Sequence, residues 1–249
     1  MLHEKDQDTA IHSAQGGIEK ADYVKGIFSA IAPRYDLLNH LLSLNIDKAW
    51  RRKAIRELKF ERKPTGRYLD LCAGTLDVSN ALIESRGFRG SVVGVDFAEP
   101  MLRAGRAKVA GKPVSIVAAD ALELPLLACS MAGAIVAFGI RNVQGLDASL
   151  REVHRVLEPG ARFVILEFST PRSPLINAGY QIYFNNVLPR IGGWVSGNRS
   201  AYQYLPRSVA SFPVEEELAR RMGAAGFVNV EWRSLTLGVA AIHCAERPL

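Results

Sequence analysis

The chain has 249 residues, 48% of them hydrophobic, and a net charge of +6. That is enough for one α/β domain with extras or two small domains. Three cysteines, at 72, 129 and 244, with no CxxC spacing argue against a disulfide framework and against zinc, and fit a reducing cytoplasm.

The N-terminus, 1–18, is polar and lacks the apolar centre of a signal peptide, so it reads as a loose tail. A single domain is expected over 19–246. It opens with a helical cover over about 19–60, with segments at Ile18–Ala30, Tyr35–Leu44 and Asp47–Leu58. Pro33 and Asn45 mark the breaks, and Asp47 is the expected N-cap of the third segment. Lys48, Arg51, Arg52, Lys53 and Arg56 cluster there. They read as a solvated helix face or as a surface for anionic headgroups. Nucleic acid is disfavoured, because basic and aromatic residues do not interleave.

From Tyr68 onward strand and helix signals alternate. Strands are expected at Tyr68–Cys72, Ser91–Asp96, Val114–Ala119, Ala134–Phe138 and Arg162–Glu167, with helices between them. Such alternation argues a parallel sheet with helices on both faces. Glu158-Pro159-Gly160 is expected to stop the helix before strand five. Leu124–Ile140 is the most membrane-like run, but it is too short for a span and is interrupted by Pro125 and Ser130. The alternation breaks over about 170–213, an aromatic insert punctuated by prolines, with a helix expected at Leu175–Val187. It resumes with a helix at Val214–Ala225 and strands at Phe227–Trp232 and Thr236–Cys244. The short link Arg233–Leu235 makes these last two antiparallel.

The chemistry starts at Arg67–Ser79. A buried strand carrying Asp70 runs into Ala73-Gly74-Thr75, and Asp77 and Ser79 are placed to start a helix. Strand, glycine turn and helix start make a nucleotide-type pocket, since backbone approaches a ligand closely where no side chain intervenes. Acids recur at successive strand ends: Asp70, Asp96 with Phe97 beside it, and Asp120 with Ala121. Ligands of open parallel sheets bind outside those ends. Asp96 lies about twenty residues past the turn, as expected for a carboxylate on ribose hydroxyls. Asp120-Ala121 suits an adenine amino group. Each acid could instead simply cap the following helix. The three-glycine dinucleotide fingerprint is missing, and Asp70 and Asp77 would repel a pyrophosphate. The same acids suit an ammonium or sulfonium, which points to S-adenosylmethionine.

Four segments then carry a family resemblance, over about residues 22–246. They are Phe28-Ser-Ala-Ile-Ala-Pro-Arg-Tyr-Asp-Leu-Leu-Asn39 continuing to Trp50, and Leu69-Asp-Leu-Cys-Ala-Gly-Thr75 with Asp77. The third is Phe138-Gly-Ile-Arg-Asn142 with Arg155-Val-Leu-Glu-Pro-Gly160 and Leu166-Glu-Phe-Ser169. The fourth is Tyr202-Gln-Tyr-Leu-Pro-Arg-Ser208 with Phe212-Pro213. The chain resembles the ubiquinone/menaquinone biosynthesis C-methyltransferases of the class I S-adenosylmethionine-dependent superfamily. The second segment is generic to the superfamily; the others are more specific.

The resemblance implies a Rossmann-like seven-stranded, mostly parallel sheet with its last strand antiparallel. It implies methylation of a ring carbon of a prenylated quinol such as demethylmenaquinol. Cofactor positions carry over to Thr75, Asp96, Asp120 and Ala121, with Asp70, Gly74 and Phe97 around them. A family serine is replaced by Ala137, and a family glycine by Leu76. If the backbone at 76 needs positive φ, leucine costs on the order of 1 kcal/mol, and two readings are open: the turn tolerates leucine with a modest loss of affinity, or its side chain fills space needed by the methionine end and cofactor binding and activity are lost.

C-methylation needs a base, or a cation that favours the phenolate. Arg141 is the first candidate, with a salt bridge to a pocket acid as its alternative role, and Asp36 is a candidate base if burial raises its pKa, with a plain N-cap as its alternative role. Tyr35, Asn39, Asn142, Tyr202 and Tyr204 are expected on the substrate, with Phe184, Trp194 and Phe212 along a prenyl channel. No metal is implied. A prenylated substrate makes peripheral membrane contact an expectation, with a cytoplasmic location. A homodimer or a complex with other quinone-pathway proteins is also open. The competing readings are a methyltransferase for another phenolic or lipid-like molecule, a non-catalytic subunit of the same fold, and, weakest, a nicotinamide oxidoreductase.

Overall fold

The computed structural model describes residues 18–32, 43, 45–183 and 199–249. Helix α1 spans Ile18–Ile31 and α2 spans Ile46–Glu57. The alternating part follows: β1 (Arg67–Leu71), α3 (Asp77–Ile83), β2 (Ser91–Asp96), α4 (Glu99–Gly105), β3 (Val114–Ala118), β4 (Met131–Ala137), α5 (Leu146–Val156) and β5 (Leu157–Phe168). Then come α6 (Pro174–Ile182), α7 (Arg199–Ala210), α8 (Glu215–Ala224), β6 (Val228–Leu235) and β7 (Ala240–Glu246).

The seven strands form one sheet in the order β3-β2-β1-β4-β5-β7-β6. Pairings among β1 to β5 are parallel, and β7 is antiparallel to both β5 and β6. The order reverses beside β1, so the carboxyl ends of β1 and β4 flank the switch point where such sheets hold ligands. The central strands are buried almost throughout, which is why they read as continuous apolar runs. Two cores cover the two faces. One gathers Leu69, Val136, Leu150 and Phe163 under α5 and α8; the other gathers Trp50, Tyr68, Ile135 and Val164 under α2 and α3.

Several boundaries differ from the expectation. The N-cap of α2 is Asn45, in the left-handed region at φ 61, and not Asp47. Asp47 sits inside the first turn, accepting from the Ser43 hydroxyl at 2.6 Å and pairing with Arg51. Glu158-Pro159-Gly160 does not stop α5, which ends at Val156. It forms an irregularity within β5, with Gly160 at φ 75 and its N–H donated to Arg247. The β6–β7 link is the 3₁₀ turn Thr236–Gly238, later than expected.

In the insert, α6 starts as expected. An unexpected helix, α7, runs through Pro206. Tyr204, Ser208 and Val209 on it are buried, so tertiary packing outweighs the missing N–H of the proline. The expected tail, the helix at 35–44, and Phe184 and Trp194 lie outside the described residues. Among the described residues, no helix is long and apolar enough to cross a membrane.

Candidate active site

A cavity lies at the carboxyl ends of β1, β2 and β4. Its wall begins with the turn after β1. Cys72, Gly74 and Leu76 take φ of 52°, 52° and 64°, so alternate residues of the turn stand in the left-handed region. For cysteine and leucine that conformation is strained, and such strain concentrates at ligand sites.

Two carboxylates hold the turn. Asp70 accepts from the Ser79 N–H at 2.9 Å and its hydroxyl at 2.6 Å, and so satisfies an orphan donor in the first turn of α3. The expected capping by Asp77 and Ser79 is therefore not how α3 starts. Leu76 is its N-cap, with no side-chain bond, and Asp70 reaches across from β1. Asp96 accepts from the Gly74 and Ala98 N–H groups, both at 2.8 Å, and so ties the β1 turn to the end of β2. Burial pushes the Asp70 carboxyl up to about 7, against the Ser79 bonds that pull it down. Burial also raises Asp96, against its two backbone donors.

The Leu76 side chain is fully buried and packs with Ala73, Leu102 and Val109 under α4, and it is not part of the cavity wall. It rests on β2 at Gly94, where an added Cβ would stand 2.7 Å from Leu76 Cδ2. The competition with the cofactor's methionine end anticipated for this leucine does not occur in this geometry. The same turn packs against α4: an added Cβ on Gly105 would stand 2.2 Å from the Thr75 carbonyl oxygen. From the other side, Asp77 pairs with Lys108 at 2.6 Å and lies 3.7 Å from the buried Arg51 of α2.

Gly74, Asp96, Phe97, Asp120, Ala121 and Asn142 line the cavity. So does Ala137, where the alanine supplies no hydroxyl. Asp70 and Thr75 do not; Asp70 sits behind the turn and holds it, and Thr75 is a buried residue of the turn itself. Among the described residues the lining includes two carboxylates, Asp96 and Asp120, and no lysine, arginine or histidine. Phe28, Met101 and Phe138 add apolar wall. Phe28 heads the first of the four family segments but had no site role assigned, and Met101 was not singled out.

Arg141 is not in the wall. It lies in the 3₁₀ turn Ile140–Asn142 after β4, with its guanidinium buried against Glu167 at 2.6 Å. It also donates to the Phe138 carbonyl at 2.6 Å and the Ser208 hydroxyl at 3.3 Å, and stacks over Phe168 at 5.4 Å. Of the two roles open to it from sequence, this geometry is the salt bridge. Burial raises the Glu167 carboxyl, opposed first by the Arg141 charge and then by N–H donors. Glu167 was missed, although it ends β5 as Asp70 and Asp96 come at the ends of β1 and β2, and the same rule would have found it.

Tyr204 is buried and donates its hydroxyl to Asn142 Oδ1 at 3.1 Å, which brings two of the expected substrate residues together. The Tyr202 side chain, and all of Tyr35, Asp36 and Asn39, lie outside the described residues. Phe212 packs against the core under α5 and α8 and is not among the residues lining the cavity.

Solved structures share this architecture. A S-adenosylmethionine-dependent methyltransferase of Thermotoga maritima, titled a possible histamine N-methyltransferase, aligns with TM-score 0.63 at 17% identity, covering 89% of this chain and 98% of that one. Among relatives, the demethylmenaquinone methyltransferase of Thermus thermophilus is 47% identical over 224 residues, 89% of this chain and 100% of that protein. The ubiquinone/menaquinone biosynthesis C-methyltransferase UbiE of Geotalea daltonii is 41% identical over 92% of this chain and 98% of its own length. The ubiE/COQ5 model matches residues 17–247, from the first described helix through the last strand, and the chain therefore belongs to the ubiE/COQ5 methyltransferase family.

Proposed function

We propose that the chain methylates a ring carbon of a prenylated quinol, with demethylmenaquinol as first choice, using S-adenosylmethionine. The observation that carries the cofactor is the cavity's charge: among the described residues, two carboxylates and no cation in its wall. Such a wall favours a sulfonium and an ammonium and repels a pyrophosphate. The bound cofactor supplies an electrophilic methyl group on sulfur.

The chain's own residues position and deprotonate. Asp96, fixed by Gly74 and Ala98, has lone pairs left for two ribose hydroxyls. Asp120 accepts from an adenine amino group beside Ala121, and Phe97 lends an apolar face. Gly74 lets the turn backbone approach the methionine end. Asn142, its Oδ1 occupied by Tyr204, keeps its amide N–H groups to orient a quinol oxygen. Arg141 acts through position, clamping Phe138 and Asn142 onto β5 by way of Glu167. Asp36 is our candidate for the base that takes the quinol proton. In-line attack at about 3–3.5 Å is what this positioning has to provide.

The test is incubation with methyl-labelled S-adenosylmethionine and reduced demethylmenaquinone. Label in the quinone is expected, lost in Asp36→Asn with cofactor binding retained. Saturable cofactor binding without label in any quinone would point to another phenolic substrate. Asp96→Ala should abolish binding in calorimetry.

A further inference from the structure

Large apolar side chains are left bare at one end of the molecule. Ile46 opens α2, Leu175 and Ile182 lie on α6, Val214 precedes α8, and Leu237 sits in the β6–β7 turn. Their exposures run from 39% at Ile46 to 84% at Leu175.

The topology puts these elements at the carboxyl end of the parallel strands, where the cavity opens. β7 begins at Ala240, opposite Phe168 at the end of β5, so the turn holding Leu237 is at that end. Trp50, in the second turn of α2, donates to Thr236 at 2.9 Å and meets Phe168 at 6.3 Å. Ser169 donates to Glu215 at 2.7 Å, which brings Val214 there. α6 seats Tyr180 in a cluster with Val24 and Tyr204, against which the cavity residues Phe28 and Phe97 pack.

The helix α6 carries no charged residue. Leu175, Ala178, Gly179 and Ile182 follow the i, i+3, i+4, i+7 spacing of one face, and all four are exposed. A bare stripe of this kind on a soluble surface marks an interaction site.

Charge beside the stripe selects the partner. Lys48, Arg52, Lys53 and Arg56 occupy the solvent face of α2. Among the described residues none of the four has an ion pair, and Glu57 at the edge of that face is taken by Arg233. The row leads away from the rim over about 12 Å of helix, so Lys48 and Arg52 stand nearest the bare apolar residues.

We infer that this end docks on an anionic lipid bilayer. The apolar side chains enter the headgroup–acyl boundary, the α2 cations meet the headgroups, and a membrane-dissolved quinol passes from lipid into the cavity. The purpose of the surface rests on the quinol reading above; its geometry does not.

The test is co-sedimentation of the full chain with vesicles of phosphatidylcholine alone and of phosphatidylcholine with phosphatidylglycerol. Methyl transfer to a tail-free quinol is read in parallel without vesicles. Binding to the anionic vesicles is expected. Leu175→Ser with Leu237→Ser should weaken it about tenfold, since each buried leucine contributes substantially. Lys48→Gln with Arg52→Gln should cost about fivefold per cation on anionic vesicles and nothing on neutral ones. Tail-free turnover should stay unchanged in both variants, which also reports that they fold.

Absence of sedimentation overturns the proposal, as does equal retention of wild type and both variants. So does light scattering in which the leucine variant splits a dimer while vesicle binding is untouched, which would assign the face to a second copy. Vesicle binding without methylation of any quinol would leave the docking face standing and defeat the proposed function instead.

Discussion

On the β1–β2 side of the cavity the backbone does the positioning; on the β4–β5 side a buried ion pair does it. The first side is a local turn, with Cys72, Gly74 and Leu76 held left-handed by two carboxylates that accept backbone N–H groups. The second joins residues 26 apart in sequence, Arg141 and Glu167, and reaches Ser208 on a third element. A backbone wall tolerates side-chain change as long as its glycines stay small. A buried pair tolerates almost none, because one partner removed leaves the other charged and desolvated.

The sharpest test of that contrast is Glu167→Ala. It strands the Arg141 guanidinium, and a loss of about 3–5 kcal/mol is expected in denaturant unfolding. Glu167→Gln, which keeps an acceptor, should lose less. Equal losses in the two variants would mean that the pair acts by packing and not by charge.

On the other side the matching probe is Gly105→Ala. Its Cβ meets the Thr75 carbonyl, which is backbone and cannot rotate away. Overpacking of this kind costs about 1–3 kcal/mol, and the displaced turn should bind cofactor more weakly in calorimetry. Unchanged affinity would uncouple α4 from the turn.

Leu76→Gly sets two effects against each other. It relieves left-handed strain of about 1–2 kcal/mol and removes a fully buried leucine, a loss of about 2–5 kcal/mol. Burial wins, so a net destabilisation of about 2 kcal/mol is expected. Cofactor affinity should change little, because the side chain is not in the cavity wall. A large rise in affinity would mean that leucine does obstruct the cofactor.

The remaining effect is one of pH. The Asp70 carboxyl is pushed from 3.8 up to about 7 by burial. Between those values the folded state holds a proton that the unfolded state has released. Stability is therefore lost as pH rises through that window, and the loss is complete above it. Asp70→Asn should flatten the dependence of melting temperature on pH over that range. An unchanged slope would assign it to another group.

Much of this was legible in the chain itself. The apolar runs of β1 to β5 announce buried parallel strands, because such strands have no solvent face on which to alternate. The acids at 70, 96 and 120 announce the ligand end, since strand ends are where a parallel sheet leaves room. A left-handed conformation at Leu76 was raised as a condition by the family glycine it replaces, and the backbone there has φ of 64°. The direction of the side chain was not legible: whether it fills the cavity or turns under α4 depends on Gly94 and Leu102, which belong to other elements.

The sequence by itself determined the sheet, its parallel sense and the acidic mouth, because periodicity and strand ends are local properties of the chain. Only the tertiary structure decided that Asp70 serves the turn and not the cavity, that Arg141 is held by Glu167, and that α7 forms through Pro206. It also gathered Ile46, Leu175 and Leu237 at one rim. Each of these depends on which distant residues meet across the sheet, and burial, charge pairing and helix packing are settled there and not along the chain.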